Sequence, residues 1–374
     1  MISLRSLAIN FQYMVHNFKP KLVCRVANQY GRYFLNGRRP RLRYVDCILH
    51  YGCNLKCEHC SCESLKDVSR RMLLPKDWGR VAQEAKKLGA IIFGIQGGEP
   101  LIYPRLDEVI KEIDPSQNFI SIKTNGTINS EKILRDLKKW KVDSVTVGFG
   151  PIPNVFEFDD YNSISRKLKN AFSMSLETVK MLSLSGIKPM MSVVISRKNI
   201  RSNVFRSMIQ IAKQYGCVLN CALAVPVGCW EMDFNLMLLD EDRRELNRII
   251  KENPHVRTDF DTNWCKNGCG ALKEKIYISP YGDVLPCPFI HISFGNIFEE
   301  PLKTIWLRGI NTKAFSEYAD VCLAAEDRYF LSYLEVAKKK GIHLPIRCDD
   351  IDIAKLLSTD RKERLKIINS KDHA

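Results

Sequence analysis

Four cysteines lie within ten positions of one another in the stretch YGCNLKCEHCSCE at residues 51–63, namely Cys53, Cys57, Cys60 and Cys62. Structural zinc sites usually pair cysteines a few positions apart and add a distant second pair. Iron–sulfur sites instead collect several thiolates in one short loop, because these ligands bind neighbouring irons of one cluster. The spacing therefore favours an iron–sulfur cluster, with structural zinc as the alternative.

A second group of cysteines lies in the last third of the chain. Cys265, Cys269 and Cys287 fall within CKNGCGALKEKIYISPYGDVLPC, and Cys322 and Cys348 follow singly. The segment SPYGD supplies the proline and glycine of a turn, so the flanking stretches EKIYIS and DVLPC are predicted to form a β-hairpin.

The composition is that of an ordinary globular protein, with 374 residues of which 45% are apolar and 26% charged. Its length favours two domains, or one barrel with an appendage. No apolar run reaches the roughly 18 residues that cross a bilayer, and no signal core with a small-residue cleavage site is visible. We therefore expect the fourteen cysteines to be reduced thiols in the cytoplasm, available to bind metal.

The net charge of +15 is concentrated at the start of the chain, since residues 1–45 hold nine Lys or Arg and no Asp or Glu. Apolar residues recur there at helical spacing; they are Leu4, Leu7, Phe11, Met14, Val15 and Phe18. Such a segment could lie on an anionic membrane, at the inner surface, or pack on the protein with a solvated basic face. Nucleic-acid binding is not expected, because the GRRPRLR stretch at 37–43 alone is weak evidence without base-reading context.

From residue 44 onward, stretches typical of strands alternate with stretches typical of helices. The six predicted strands are YVDCILHYG, AIIFGIQGG, FISIKTNG, VDSVTVGFG, KPMMSVVIS and CVLNCALAVPVG. This alternation predicts an α/β fold with a parallel sheet and crossover helices, either open or closed into a barrel. Ligands collect at the carboxyl ends of the strands in such sheets. The first cysteine loop follows the end of the first strand, so chemistry and topology agree there.

The segment CNLKCEHC, a Cys-x3-Cys-x2-Cys motif, resembles the signature of radical S-adenosylmethionine (SAM) enzymes. The resemblance implies a partial (β/α)6 TIM-like barrel over residues 46–235. It also implies that Cys53, Cys57 and Cys60 bind three irons of a 4Fe–4S cluster whose fourth iron binds SAM. Reductive cleavage of SAM would give a 5′-deoxyadenosyl radical that abstracts a substrate hydrogen, and His59 would lie against the adenine.

Three further stretches resemble SAM-binding elements of that family. GGEP follows the second strand and matches a Gly-Gly-Glu element, in which small residues let the backbone approach the methionyl group and an acceptor is needed for its ammonium. TNG after the third strand resembles a ribose-contacting position, and a serine in the fifth strand occupies the place of a similar polar contact. The residues with these implied roles are Gly97, Gly98, Glu99, Pro100, Thr124, Asn125 and Ser192.

The last third resembles the SPASM or twitch appendage of radical SAM enzymes, a small α+β iron–sulfur domain. Cys269, Gly282 and Cys287 fit its spacing, with twelve residues between the first two and four between the last two. A full SPASM domain has a later run of closely spaced cysteines, which is missing here, so one auxiliary 4Fe–4S cluster is implied. Its expected ligands are Cys265, Cys269, Cys287 and Cys322, with Cys348 in reserve. Four thiolates would close this cluster for electron transfer or scaffolding, whereas three would leave an iron open to substrate.

The remaining boundaries follow from these two parts. Residues 1–45 form the basic segment, 236–263 a helical linker, 264–350 the auxiliary-cluster domain and 351–374 a basic tail. A flavodoxin- or ferredoxin-type protein is the expected electron donor.

The expected substrate is a small molecule, such as a sugar, a nucleoside or a lipid-linked metabolite. Many SPASM members read Ser-Leu-Asp-Gly after the fourth strand, whereas this chain has VGFGP at 147–151, and 45 residues are too few for a leader-binding domain. A radical SAM peptide maturase is the alternative, and a non-catalytic zinc protein that binds nucleic acid or membrane is the alternative of another class. Cys229, in PVGCW after the sixth strand, lies where a hydrogen donor to a substrate radical could stand; the other interpretation is a merely structural cysteine.

Overall fold

The computed structural model of the chain describes residues 18–35, 41–150, 166–262 and 268–364. The first elements are α1 (Pro20–Leu35), β1 (Tyr44–Ile48), α2 (Pro75–Leu88), β2 (Ile92–Gln96), α3 (Leu106–Ile113), β3 (Phe119–Thr124), α4 (Glu131–Lys139) and β4 (Ser144–Phe149). They are followed by α5 (Arg166–Leu184), β5 (Lys188–Ile195), α6 (Asn203–Gln214), β6 (Val218–Leu223), α7 (Asp240–Glu252) and β7 (Val256–Thr258). The last part contains β8 (Lys275–Ile278), β9 (Val284–Leu285), β10 (Ile292–Ser293), α8 (Leu302–Ile310), α9 (Lys313–Ser316), α10 (Leu323–Glu326), α11 (Tyr333–Lys340), β11 (Ile346–Arg347) and α12 (Ile351–Leu357).

Helix α2 shows how local sequence sets these elements. Pro75 occupies the first turn, where its missing N–H costs nothing, and the Leu74 N–H donates to the Asp77 carboxylate at 2.9 Å. The helix ends at Gly89, whose φ of 119° lies in the left-handed region. Its apolar residues recur at helical spacing and face the core; the buried ones include Trp78, Val81, Ala82 and Ala85.

One sheet of nine strands has the order β7-β6-β5-β4-β3-β2-β1-β8-β9. Strands β1 to β8 pair with their neighbours in parallel, and β9 joins β8 antiparallel. The six strands predicted from the sequence are β1 to β6, which confirms the α/β prediction. The sheet extends beyond them, because β7 adds to β6 and β8 adds to β1, where Tyr44 is opposite Lys275. Strand β7 has three residues, which is too short for periodicity to reveal.

The sheet curls around a central cavity. Along β1, Tyr44, Asp46 and Ile48 line that cavity, whereas Val45 and Cys47 alternate with them and are buried on the other face. This period of two is the geometry of a strand with one face toward the barrel interior. The six predicted strands therefore form the partial TIM-like barrel that the resemblance implied.

Helix α1 packs against the loops that precede the barrel strands. Lys19 forms a buried ion pair with Asp143 at 2.5 Å and donates to the Asn118 carbonyl at 3.1 Å, and Arg25 donates to the Ala90 carbonyl. Leu22 and Val26 of the same helix line the central cavity. Residues 19–29 therefore pack on the protein, which is one of the two alternatives for the basic segment.

Most of the apolar stripe that suggested membrane contact, from Leu4 to Val15, lies outside the described residues. Phe18 is described and is 73% exposed. Within the described ranges no helix is both long enough and apolar enough to span a bilayer.

The C-terminal part continues directly from the barrel. Its β8–β9 hairpin turns at Gly282, whose φ is 87°, and Arg70, from the segment that follows the first cysteine loop, forms an ion pair with Asp283 at 2.7 Å. A second sheet pairs β10 with β11 in parallel. The hairpin predicted around SPYGD is present and is tied to the barrel by strand pairing and by this ion pair.

Candidate active site

One cavity of about 1080 Å³ is lined by thiols from both halves of the chain. The first cysteine group contributes Cys53, Cys57, Cys60 and Cys62, and the second contributes Cys269, Cys287 and Cys322. Other predicted residues on its wall are His59, Gly97, Gly98, Thr124, Asn125, Ser192 and Cys229. The first group follows β1, so it lies at the carboxyl end of the barrel, where parallel sheets collect ligands.

The loop that follows β1 holds its thiols in contrasting environments. Burial raises the pKa of Cys57 to about 11, and the neighbouring Cys53 adds to this shift. The Cys60 thiol is hydrogen-bonded to that of Cys62, which lowers the pKa of Cys60 to about 6 and raises that of Cys62. Cys53 accepts from the Leu55 N–H at 3.4 Å and from the Asn125 amide at 3.7 Å.

Among the described residues, no three His, Cys, Asp or Glu side chains converge as ligands of a single metal ion. Thiolates of a 4Fe–4S cluster bind different irons, so their sulfur atoms need not converge on one point. The donor set, three thiols of one short loop on one cavity wall, fits such a cluster.

Gly97 and Gly98 bring the end of β2 against the cysteine loop. An added Cβ would lie 2.4 Å from the His50 carbonyl oxygen at Gly97 and 2.0 Å from the Gly52 carbonyl oxygen at Gly98. The Gly98 N–H donates to His50 O at 2.8 Å, and the Glu99 N–H to Gly52 O at 2.9 Å. The two glycines therefore permit a backbone contact that any side chain would block, and they leave their own backbone exposed on the cavity wall.

Glu99 lies behind this wall, fully buried, and its carboxylate accepts bonds from the protein itself. The donors are the Thr124 hydroxyl at 2.8 and 2.9 Å, the Asn125 N–H at 2.7 Å and the Leu101 N–H at 3.0 Å. Burial raises the pKa of Glu99, and these bonds oppose the shift. Glu99 thus braces the loop after β3. Neither it nor the buried Pro100 lines the cavity, where the sequence comparison had placed a cofactor contact.

The loop after β3 is positioned by Glu99 on one side and by the cysteine loop on the other. Asn125 donates to the Asn54 side chain at 2.9 Å, and Asn54 donates to the Thr127 hydroxyl at 2.8 Å. The Thr127 N–H donates in turn to the side-chain Oδ1 of Asn125 at 2.9 Å. This closed set of bonds holds the Asn125 amide against Cys53.

His59 presents a neutral imidazole to the cavity. Burial lowers its pKa to about 4, and its buried Nδ1 has no hydrogen-bond partner among the described residues. Its ring centroid is 5.7 Å from that of Trp230, which also lines the cavity. An unsatisfied ring nitrogen beside an indole suits a flat heteroaromatic group. Trp230 was missed by sequence reasoning, although it directly follows the cysteine that PVGCW had drawn attention to.

The loop after β6 contacts the cysteine loop closely. The Cys229 N–H donates to the Cys60 carbonyl at 3.0 Å. Gly228 has a φ of 64°, and an added Cβ would lie 2.1 Å from the Cys60 carbonyl oxygen and 2.6 Å from the Ser61 Cα. Cys229 itself is exposed and lines the cavity, so its thiol is accessible to a molecule bound there.

The second cysteine group converges only in part. Burial raises the pKa of Cys287 to about 12, with Cys269 as the next cause. Burial also raises the pKa of Cys322, and Cys269 and Cys287 contribute to it, so these three thiols are neighbours. Cys348 does not line the cavity; it follows β11, and its charged neighbours are Asp349, Arg308 and Arg347. Cys265 lies outside the described residues.

Charged side chains inside the barrel form the remaining wall. Lys123 of β3 is 3.1 Å from the Asp46 carboxylate, and Asn220 of β6 donates to Asp259 at 3.0 Å. Burial would lower the pKa of Lys275, but Asp259 and the neighbouring Cys287, Cys269 and Asp46 raise it overall. Sequence reasoning missed these residues, because a lysine or aspartate within a strand has no spacing that marks it as inward-facing.

Comparison with known proteins identifies the family. Residues 47–201 match the radical SAM superfamily, and residues 269–328 match the SPASM iron–sulfur cluster-binding domain. The chain therefore contains a radical SAM domain followed by a C-terminal SPASM domain. Its cofactors are therefore SAM, the SAM-binding 4Fe–4S cluster and an auxiliary cluster in the SPASM domain.

Three curated relatives show similar identity. Antilisterial bacteriocin subtilosin biosynthesis protein AlbA of Bacillus subtilis (strain 168) is 25% identical over 316 residues, covering 78% of this chain and 66% of AlbA, just under two thirds of its length. AdoMet-dependent heme synthase of Methanosarcina barkeri (strain Fusaro / DSM 804) is 24% identical, covering 71% of this chain and 82% of that protein. PqqA peptide cyclase of Granulibacter bethesdensis (strain ATCC BAA-1260 / CGDNIH1) is 24% identical, covering 72% and 74%.

Two solved structures share the fold. Streptococcus suis SuiB bound to precursor peptide SuiA superposes with a TM-score of 0.55 at 17% identity, covering 75% of this chain and 68% of SuiB. Native anSMEcpe with bound AdoMet gives a TM-score of 0.55 at 19% identity, covering 76% and 84%. Both matches support the overall fold of the chain.

Proposed function

We propose that this chain is a radical SAM SPASM enzyme that modifies a peptide. The observation that carries the proposal is the shared cavity, in which thiols from the SAM-cluster loop and from the SPASM domain line one space. Two of the three curated relatives are named for bacteriocin biosynthesis and peptide cyclisation, and SuiB is seen with a precursor peptide. These names favour the peptide alternative over the small-molecule substrate expected from the sequence.

When bound, the SAM-binding cluster and SAM supply hydrogen abstraction from an unactivated C–H bond. Cys53, Cys57 and Cys60 would hold that cluster. Gly97 and Gly98 leave room for the methionyl group at the end of β2. The family resemblance implied that Thr124, Asn125 and Ser192 contact the rest of SAM. All three line the same cavity.

The adenine would lie beside His59 and Trp230. The unpartnered His59 Nδ1 can exchange a hydrogen bond with a base nitrogen, and the neutral state of the ring leaves it able to donate or accept. Glu99 acts indirectly, because its carboxylate holds the loop after β3. The hydrogen bond from the Cys229 N–H to the Cys60 carbonyl holds the loop after β6 against the cysteine loop. These contacts position the loops that line the cofactor site.

The auxiliary cluster would be held by Cys269, Cys287 and Cys322, with Cys265 as the fourth ligand. Four ligands would leave it an electron carrier or scaffold, whereas three would leave one iron open to the substrate. Iron and Mössbauer analysis of a Cys265→Ala variant tests this: unchanged cluster content in the variant would favour three ligands.

The residues at the end of β4 bear on the type of reaction rather than on the class of substrate. Gly148, Phe149 and Gly150 line the cavity, so no carboxylate occupies the position where many SPASM members have aspartate. This position therefore offers no carboxylate base, and Cys229, whose thiol is exposed on the cavity wall, is the candidate hydrogen donor.

Two associations of the chain are also proposed. A flavodoxin- or ferredoxin-type protein would reduce the clusters. The basic segment 1–45 would attach the enzyme to an anionic membrane surface, with Phe18 among its exposed apolar residues. Sedimentation with anionic liposomes tests the attachment, and equal sedimentation of a chain lacking residues 1–17 would contradict it.

The substrate class is tested with deuterated cell extract. Anaerobically reconstituted enzyme should release 5′-deoxyadenosine from SAM under reductant, and the product should carry deuterium when labelled substrate is present. A peptide substrate predicts that prior protease digestion of the extract abolishes the deuterium transfer. Transfer that survives digestion and stays with the dialysable fraction would instead support the small-molecule interpretation. A colourless protein that carries zinc would contradict both.

A further inference from the structure

Lys275 lies in the cavity wall where the SPASM part joins the barrel. It is the first residue of β8, the strand of the SPASM part that joins the barrel sheet beside β1. It lines the same cavity as both cysteine groups. No part of the function proposed above uses its charge.

The backbone brings Lys275 into the part of the hairpin that carries two auxiliary cysteines. In the β8–β9 hairpin, Tyr277 is opposite Leu285 and Ile278 is opposite Val284. Lys275 lies two residues before Tyr277, and Cys287 lies two residues after Leu285, so both are at the same end of the hairpin. The Lys275 N–H also donates to the carbonyl of Gly270, the neighbour of Cys269, at 3.3 Å.

Lys275 shares the cavity wall with carboxylates of the barrel. Asp259 and Asp46 line the same cavity as Lys275, and so do Cys287 and Cys269. Asp259 is itself held by Asn220 at 3.0 Å. Lys275 therefore shares this cavity with two acidic residues of the barrel and two cysteines of the auxiliary site.

We propose that the Lys275 ammonium is a fixed positive charge that raises the reduction potential of the auxiliary cluster. The inference rests on the proposed ligation of that cluster by Cys269, Cys287 and Cys322. Reduction adds one negative charge to a cluster, and a nearby cation in a site of low dielectric stabilises the reduced form. Removing that cation shifts the potential to more negative values. Lys275 is a positioning residue in this proposal, because its charge acts on the reaction only through the reduction potential of the auxiliary cluster.

Lys123 is a matched control. It lines the same cavity and contacts the same Asp46 carboxylate at 3.1 Å, yet it is in β3, away from the SPASM hairpin. Lys123→Met therefore removes one charge from the barrel interior without removing the one beside Cys287. Asp259→Asn gives the opposite test, because it removes negative charge and keeps the lysine.

The test is a redox titration of the reconstituted full-length protein followed by EPR. A variant with alanine at Cys53, Cys57 and Cys60 assigns the auxiliary signal. Lys275→Met and Lys275→Gln should move the auxiliary midpoint to more negative potential, Lys275→Arg should restore it, and Asp259→Asn should move it to more positive potential. Lys123→Met should move it less than Lys275→Met.

Three results would overturn the inference. The first is an unchanged midpoint in both neutral variants, and the second is an equal shift in Lys123→Met, since the effect would then belong to the whole cavity. The third is loss of auxiliary iron in both neutral variants but not in Lys275→Arg, which would make the lysine an assembly element. A wild-type protein with no auxiliary signal would refute the proposed ligation itself, so the two failures are distinguishable.

Discussion

Replacing Glu99 by glutamine should destabilise the fold and weaken SAM binding. Its carboxylate accepts from the Leu101 N–H through one oxygen and from the Asn125 N–H through the other. A glutamine has one oxygen, so in either orientation its NH2 faces a buried backbone N–H that loses its acceptor. A buried unsatisfied donor costs about 1–3 kcal/mol. With the unfolding entropy of a chain this long, about 2 kcal/mol lowers the melting temperature by about 2 to 3 °C.

The same substitution bears on the cofactor, because Asn125 lies on the cavity wall and contacts Cys53. If SAM binding requires the wild-type loop position, restoring it costs at most the same 2 kcal/mol, or about thirtyfold in Kd. Thermal melts and anaerobic titration calorimetry with SAM measure both quantities. Glu108→Gln is the control, since that exposed side chain pairs with Arg105 at 2.7 Å on the surface, and such pairs contribute little. A Glu99→Gln protein that melts with the wild type and binds SAM equally well would refute the reasoning.

Three other predictions concern single contacts. Gly228→Ala should lose SAM-cluster iron because its Cβ would collide with the cysteine loop, whereas Gly216→Ala, with a similar φ of 61° and open space around it, should keep it; iron analysis and absorbance decide. Lys19→Met should lower the free energy of unfolding by about 3–5 kcal/mol because it removes one partner of the buried Lys19–Asp143 ion pair. Urea melts should show a smaller loss in Lys19→Met combined with Asp143→Asn, which removes the remaining charge and keeps an acceptor for the Ile120 N–H. Burial lowers the pKa of His291 from 6.5 to about 4. Between these two pH values the unfolded chain therefore binds more protons than the folded chain. Stability should fall by up to about 3 kcal/mol on acidification through this range, and the pH slope in His291→Gln should be flatter.

Local spacing accounts for the parts of the site that were predicted. The first cysteine loop, the two glycines and the asparagine after β3 each follow a strand, and parallel strands present their carboxyl ends at one edge. A motif within a few residues of a strand end is therefore located once the strand is recognised. Helices such as α2 were equally readable, because their capping residues and apolar faces are local signals.

Contacts between distant segments could not be read in this way. Glu99 was expected to face the cofactor, but the donors that turn it away come from Thr124 and Asn125, one crossover later. Trp230 beside His59 depends on how the loop after β6 meets the cysteine loop. Neither contact has a periodicity or spacing that a single sequence reveals.

The sequence by itself determined that this protein has two groups of thiols, one of them in the radical SAM spacing, and a parallel α/β barrel to carry them. Tertiary structure alone decided that both groups line one cavity, because β8 pairs with β1 and so brings Cys269 and Cys287 to the barrel. It also decided that Lys275 lies between the barrel carboxylates and those thiols. The physical reason is that hydrophobic periodicity encodes each element and its buried face, whereas the partner of an edge strand depends on packing of the whole chain.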